Sequence, residues 1–372
     1  MKTDFSVNPN YLNRQMFLDA AGGVTVQRYE DHAYPTVAKY VKTQKGSFWI
    51  PEEITLTKDK IDFKNSNDAV RHIYTSNLLR QTTLDSLQGR APEQVFKPVS
   101  SVPEIEALVQ WWSAFEQIHS DSYSHIIRNI YNVPADEFNK IHDTQEIVDM
   151  ASSIGGYYDK LHELNCKIAL QQLAKNQTVS NFLAVTEEEH IDAIWLALNA
   201  SYGLEAIRFM VSFATSLGMV ENKLFIGSGN IISLILKDEL LHTDWTAYII
   251  NKVVKDDPRF AAAKERNKDK VWQMYLDVIA EEKAWADYLF KMGSVIGLNA
   301  KIMKDFVDWM AQIRLKEIGL KYDSGMKSTP LPWFNKHLNT SKKQTALQEN
   351  ESTAYIIGSM TSDFEYDELP EI

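Results

Sequence analysis

The chain has 372 residues, 44% of them hydrophobic, with a formal net charge of -11 and a single cysteine, Cys166. That length is long for one domain but fits a large helical bundle, and the acidic balance argues against nucleic acid as a default partner. One cysteine excludes an intrachain disulfide and any Cys-rich metal site. The opening MKTDFSVNPNYLNRQMF has no continuous apolar core of the secretory kind, and no stretch approaches a membrane span, so a cytoplasmic protein without membrane contact is expected.

Residues 1 to about 65 read as mixed, punctuated by Pro9, Gly22, Gly23, Pro35, Gly46 and Pro51. Pro51 followed by Glu52 and Glu53 reads as a first helical turn, and Trp49 on its own reads as a core aromatic. From there apolar periodicity predicts helices over 67–88, 101–131, 144–172, 185–217, 228–254, 260–292 and 299–318. Strand signals are nearly absent, so the predicted class is all-α. Gly227 and Gly229 lack a preceding strand and read as a turn into a helix rather than a phosphate loop. Residues 339–372 are rich in Ser, Thr, Gln and acids and cannot fold alone. The expected division is therefore a helical domain over 1–338 and a flexible tail over 339–372, whose isolated large apolar residues suit a partner's groove as well as solvent.

Within the second helix, Glu116, His119 and Tyr123 fall at offsets of three and seven, on one stripe of a 3.6-residue helix. A carboxylate, an imidazole and a phenol on one face suit a metal with a redox partner beside it. A second Glu-x-x-His, Glu239 and His242, lies in the apolar run NIISLILKDELLHTDW, with Thr246 rather than Tyr at the +7 position. A third, Glu187 and His190 in TEEEH, reads as a solvated first turn capped by Thr186.

The first two motifs share a layout. Asp85 stands 31 residues before Glu116, and Glu205 stands 34 before Glu239, each a single acid in apolar helical sequence. One acid from each of two helices and a Glu-x-x-His from each of two others is the ferritin-like dimetal carboxylate arrangement. Asp85 departs from the Glu usual in that pattern. Four carboxylates buried together without a cation would repel and resist desolvation, and a pair of divalent metals removes that conflict. Imidazole and carboxylate donors suit iron or manganese, and the lack of thiolates disfavours a soft metal.

The segments DSLQGRAP, EQIHSDSYSHIIRNIY, LEAIRFMVSFA, KDELLH and TAYIIGSM resemble the small, radical-generating subunit of aerobic class Ia ribonucleotide reductase, from about Phe48 to Tyr355. In that family one ligand is an Asp, which accommodates Asp85. The resemblance implies a ribonucleoside-diphosphate reductase beta subunit with Asp85, Glu116 and His119 on one iron and Glu205, Glu239 and His242 on the other, carboxylates bridging. It implies a stable tyrosyl radical at Tyr123, formed with O2 and one electron from an external donor. It also implies a dry pocket of Phe209, Phe213 and Ile235, a hydrogen-bonded line from His119 through Asp238 to Trp49, and a tail tyrosine, Tyr355, that hands the oxidising equivalent to the large subunit. A homodimer, docked on that subunit through the tail, follows from the same resemblance.

Composition adds a separate argument about partners. Reduction of a ribose hydroxyl by a dithiol needs a cysteine pair and a thiyl site, so with one cysteine the substrate site belongs on another polypeptide. Two alternatives share the ligand set: a dimetal oxidase or hydroxylase acting on its own substrate, and a non-enzymatic iron store. The first needs a substrate channel and has no use for Tyr123, Trp49 and Tyr355 together; a store would be shorter and need no long interaction tail. A dimanganese or mixed manganese/iron centre remains compatible with the donors.

Overall fold

A computed structural model describes residues 11–20 and 30–338, and among them β structure is limited to two isolated bridges, Phe17 to Ser100 and Val295 to Leu298. The all-α expectation holds. The region read as mixed contributes two helices, α1 (Pro35–Gly46) and α2 (Thr57–Asn65), with Pro51–Glu53 forming a single 3-10 turn between them. Pro35 starts α1 because the first helical position needs no N–H donor.

Helix α3 (Asp68–Gln88) begins at Asn67, whose side chain accepts the Val70 N–H at 3.0 Å. The short α4 (Ala91–Phe96) leads into α5 (Pro103–Ile130), which opens with Pro103 and carries Glu104 and Glu106 in its first turn. Those acids suit the positive helix end. Glu104 also accepts the Tyr34 N–H at 2.6 Å, so the approach to α1 is tied to the start of α5. The buried residues of α5 include Trp112, Glu116, His119, Tyr123, Ile126, Ile127 and Ile130, a stripe spaced by three and four. That stripe packs against α3, and α1 covers another side of the same helix.

Then follow α6 (Pro134–Asn139), α7 (Gln145–Leu173), α8 (Gln177–Phe182) and α9 (Glu187–Gly203). Thr186 and Glu189 cap α9 reciprocally, the hydroxyl accepting the Glu189 N–H while the Glu189 carboxylate accepts the Thr186 N–H. The helical path does not end at Gly203. It runs through a π turn, Leu204–Arg208, into α10 (Met210–Glu221), and every residue from Leu204 to Met219 is buried. A helix buried all round belongs at the centre of a bundle. The path from Glu187 to Glu221 is long and apolar enough to cross a membrane, contrary to the expectation that no stretch comes near a span; 94% of its apolar window is buried inside the protein, which accounts for its composition.

Helix α11 (Ile226–Asp256) starts from Phe225 in the left-handed region, φ 53°. Asp59 of α2 accepts the N–H groups of Gly227 (3.0 Å) and Ser228 (2.6 Å) and the Ser228 hydroxyl (2.6 Å), which satisfies the open helix start. A Cβ on residue 227 would lie 2.4 Å from the Thr55 carbonyl oxygen, so Gly227 is required by close approach to the backbone just before α2, in agreement with its reading as a turn. The predicted helix over 260–292 is two: α12 (Pro258–Arg266) and α13 (Lys268–Leu289). Asn267 breaks it with φ -103°, ψ 9°, and its side-chain amide donates to Ala263 O at 3.0 Å, competing with the helical ladder. Helix α14 (Ala300–Glu317) and the single turn α15 (Asn335–Leu338) close the described region.

Trp112, Trp245, Trp285, Tyr123, Phe209 and Phe213 are among the largest fully buried side chains, and each such ring contributes on the order of 1.5–3 kcal/mol by leaving water. Two buried arginines add direction to this packing. Arg80 of α3 forks onto Glu282 of α13 with its guanidinium 4.7 Å from the Trp285 ring. Arg208, at the end of the π turn, pairs with Glu281 of α13 and donates to Ser153 of α7 at 3.0 Å. These contacts hold α3 and the π turn at fixed depth against α7 and α13.

Candidate metal centre

Four elements meet at the middle of the bundle, each bringing acids or imidazoles with no accessible surface: Asp85 from α3, Glu116 and His119 from α5, Glu205 from the π turn, and Glu239 and His242 from α11. Their ligand-type atoms form two groups, each with all members within 4.8 Å of one another. One is Asp85, Glu116, His119 and Glu239; the other is Glu116, Glu205, Glu239 and His242. Glu116 and Glu239 belong to both, as two metals bridged by carboxylates require. His119 Nδ1 lies 2.9 Å from Glu239 Oε1 and 3.5 Å from Glu116 Oε2. His242 Nδ1 lies 3.0 Å from both Glu116 Oε1 and Glu239 Oε2, and 3.7 Å from Glu205 Oε2. Both imidazoles therefore aim Nδ1 inward.

Electrostatics show what this cluster lacks. Burial, then Glu116 and Glu239, push the Asp85 carboxyl well above its usual range, and burial followed by Glu239 does the same to Glu205. Burial also pushes Glu239 up, but the His242 charge and hydrogen bonds from its neighbours outweigh it and hold that carboxylate low. Burial lowers both imidazoles, yet Asp238, Glu116 and Glu239 raise His119, and Glu239, Glu116 and Glu205 raise His242. The shifts of Asp85, Glu205, His119 and His242 all favour the protonated forms, the mark of carboxylates crowded around two imidazoles. Both Asp85 oxygens, Glu116 Oε2, Glu205 Oε2, Glu239 Oε1 and His119 Nδ1 are buried with no hydrogen bond. Unsatisfied acceptors at this density are unfavourable in a closed core, and two divalent cations bound by oxygen and imidazole would satisfy them together. The residues fit a dimetal cofactor.

Tyr123, one turn beyond His119, is fully buried and its hydroxyl has no hydrogen bond at normal geometry. Burial first and the Asp85 charge second push its phenol well above the ordinary value, so it stays protonated. Phe209, Phe213 and Ile235 have no accessible surface, and the two phenyl rings stack at 5.4 Å. On the far side of His119, its Nε2 lies 3.2 Å from Asp238 Oδ2, and Trp49 Nε1–H donates to the same oxygen at 2.8 Å. The Trp49 ring also lies near-parallel to the imidazole at 6.2 Å. Trp49 is 3% exposed while its neighbours Phe48 and Ile50 are 55% and 39% exposed, so this line runs from the cluster to just beneath the surface. Tyr355 lies outside the described residues.

Four contributors were not anticipated from sequence. Gln44 of α1 donates to Asp238 Oδ1 at 3.1 Å. Trp112 Nε1–H reaches Glu116 Oε1 (3.1 Å) and Glu205 Oε1 (3.0 Å), Gln88 Nε2–H donates to Glu205 Oε1 at 2.6 Å, and the Tyr158 hydroxyl donates to Gln88 Oε1 at 2.8 Å. Trp112 four residues before Glu116 and Gln88 three after Asp85 were readable as same-face neighbours of those acids. Gln44 and Tyr158 carry no such signal. The third motif is partly corrected: Glu187 is exposed as expected, but His190 is 5% exposed, one turn further in, with Nε2 2.7 Å from Asn165 Oδ1 of α7.

Comparison with known proteins decides among the dimetal helical bundles. The family model described as "Ribonucleotide reductase, small chain" matches residues 27–323. The chain belongs to the ribonucleotide reductase small-chain family. It is 38% identical over 363 residues to the ribonucleoside-diphosphate reductase subunit beta of Haemophilus influenzae, covering 97% of this chain and 96% of that one. It is likewise 38% identical over 370 residues to the ribonucleoside-diphosphate reductase 1 subunit beta of Salmonella typhimurium, covering 99% and 98%. The ribonucleotide reductase R2 subunit from Clostridium botulinum shares the fold, with a TM-score of 0.73 over 91% of this chain and 99% of that one at 20% identity. The protein is a ribonucleotide reductase small subunit whose helices enclose a buried dimetal-binding cluster of carboxylates and histidines. The ferritin-like reading is thereby upheld, and the alternatives of an independent oxidase and an iron store are set aside.

Proposed function

We propose that this subunit stores an oxidising equivalent as a tyrosyl radical on Tyr123 and passes it to a large subunit that reduces ribonucleoside diphosphates, the substrate class in the names of its relatives. In this reading Asp85, Glu116 and His119 would hold one iron and Glu205, Glu239 and His242 the other, with Glu116 and Glu239 common to both donor groups. Manganese, or one ion of each, suits the same donors. When bound, two ferrous ions supply two of the four electrons needed to reduce O2 fully. Tyr123 gives the third and loses its hydroxyl proton; the fourth comes from an external donor.

The observation that carries the reading is Tyr123 itself. A protonated phenol beside Asp85, sealed from water and facing a dimetal cluster, is poised to lose an electron and shielded from quenching afterwards. Phe209, Phe213 and Ile235 keep solvent from it. Asp238 fixes His119 with Nδ1 toward the cluster by engaging Nε2, and it joins that ring to Trp49, so electron and proton share one short polar route toward the surface. Residues 1–338 form the radical-generating domain. Residues 339–372, with Tyr355, form the docking tail that completes the route in a cytoplasmic complex of two small subunits with the large one.

The test is anaerobic loading with ferrous iron followed by O2, read by electron paramagnetic resonance and metal analysis, wild type beside Tyr123→Phe. A tyrosyl signal with about two irons per chain, lost in a variant that keeps its metal, is the expected result. A filled site without any tyrosyl signal in the wild type would overturn the radical assignment.

A further inference from the structure

We infer that Tyr158 of α7 is a positioning residue for Glu205, acting through Gln88, and that this pair makes Glu205 Oε2 the single oxygen offered to the metal. The inference rests on the proposed role of Glu205 as a ligand. Glu205 Oε1 accepts two N–H groups, from Gln88 Nε2 at 2.6 Å and Trp112 Nε1 at 3.0 Å. Two donors occupy both lone-pair directions of that oxygen. Oε2 has no hydrogen bond and lies 3.7 Å from His242 Nδ1, on the side of the second donor group.

The role of Tyr158 follows from the asymmetry of an amide. The NH2 end of Gln88 only donates and its oxygen only accepts, while an ionised carboxylate only accepts. Gln88 must turn Nε2 to Glu205 and its oxygen away, into a place with no accessible surface. There the oxygen needs a donor, since an unpaired buried acceptor is unfavourable by about 1–3 kcal/mol. The Tyr158 hydroxyl supplies it at 2.8 Å. Ser201 Oγ lies 2.8 Å from the same hydroxyl and has its own acceptor in the Ala197 carbonyl at 3.0 Å, so the phenolic proton is free for Gln88.

Tyr158 also lines a cavity of about 300 Å³ with Ser86, Arg90, Ala151, Gly155 and His162. Loss of the hydroxyl removes the donor to the Gln88 oxygen and releases that amide. A released amide can turn its oxygen toward Glu205, which repels the carboxylate. Such a turn weakens the site made with Glu205 and leaves the one made with Asp85.

The experiment is titration of full-length apoprotein with manganese(II) under argon, free ion being read by its paramagnetic resonance signal. Tyr158→Phe is expected to weaken one of the two ion sites by about tenfold, a size usual for lost support of a ligand, with the other unchanged. Gln88→Met should produce the same loss, and adding Tyr158→Phe to it should change nothing more, because the two act in series. Wild-type affinity at both sites in Tyr158→Phe, whether or not that variant melts earlier, would overturn the inference. So would a loss that adds fully to that of Gln88→Met, which marks general loosening. Glu205→Ala separates this from the underlying reading: if it keeps both ions, Glu205 is no ligand; if it loses one while Tyr158→Phe loses nothing, only the positioning role fails.

Discussion

The half of the centre built on α3 and α5 and the half built on the π turn and α11 carry the same donors at nearly the same spacing, yet they are supported differently. On the first, Asp85 has the Tyr123 phenol at the +7 position as its neighbour, and Asp238 ties the outer nitrogen of His119 to Trp49. On the second, Glu205 is held by Gln88 and Trp112, Thr246 spends its hydroxyl on the His242 carbonyl at 2.8 Å, and the outer nitrogen of His242 has no partner while its ring stacks 4.5 Å from Trp245. One half has a polar line to a tryptophan just beneath the surface and sets its acid beside a phenol. The other is sealed by indoles and held rigid. The ligand pattern is duplicated, but among the described residues the polar line toward the surface leaves from the half that carries His119.

The largest effect that tests this division concerns the shared acids. Glu116→Ala or Glu239→Ala removes a member of both donor groups and should take metal content from about two ions per chain toward none, whereas Asp85→Ala should leave about one. Metal analysis after desalting distinguishes them. Equal retention in all three variants would show that the halves do not share ligands.

Next in size is the outlet. Trp49→Phe keeps a ring beside His119 but removes the N–H that Asp238 accepts, and turnover with the large subunit should fall by about a hundredfold or more, as misplaced transfer partners do. Metal content should not change. The matching change on the sealed half, Trp245→Phe, removes an indole whose N–H has no partner and should cost far less turnover. Similar losses from both would remove the asymmetry.

A smaller, graded effect joins the halves through protons. In the apoprotein Asp85, Glu205, His119 and His242 are all shifted toward their protonated forms, so metal and protons compete for the same groups. Loading should acidify a weakly buffered solution, and affinity should rise about tenfold per pH unit for each proton released. Calorimetry in buffers of different ionisation enthalpy counts those protons; a count of zero would contradict the crowded cluster.

Much of this was readable before any coordinates, because ligands on helices obey a short period. Glu116, His119 and Tyr123 share a stripe by arithmetic alone, and the two acid-to-motif intervals implied four helices around one point. The π turn at Glu205 was not readable. Leu204–Arg208 is as good a helical sequence as its flanks, so nothing in it marks the change of helix type there. Nor could spacing find Gln44 or Tyr158, which approach from helices distant in sequence. Periodicity reports which face a residue occupies, and says nothing about what another helix brings to meet it.

His190 supplies the control for the whole comparison, since it sits in the same Glu-x-x-His spacing without a cluster. Burial lowers its pKa to about 4, with no neighbouring acid to reverse the shift as happens at His119 and His242. Neutral, it engages Asn165 through Nε2. Between the unfolded value near 6.5 and about 4 the unfolded chain binds a proton that the folded one refuses, so stability falls as pH drops through that interval and rises as pH climbs out of it. After allowance for solvent screening near the ring, the loss amounts to about 1–2 kcal/mol. His190→Gln keeps an N–H for Asn165 and has nothing to protonate, so the variant should lack that portion of the acid destabilisation. Urea unfolding of apoprotein at pH 7 and pH 5 measures it: wild type should lose more stability between the two than His190→Gln does. An equal loss would mean that His190 already carries its proton in the folded state, and that the third motif resembles the other two more than its surroundings indicate.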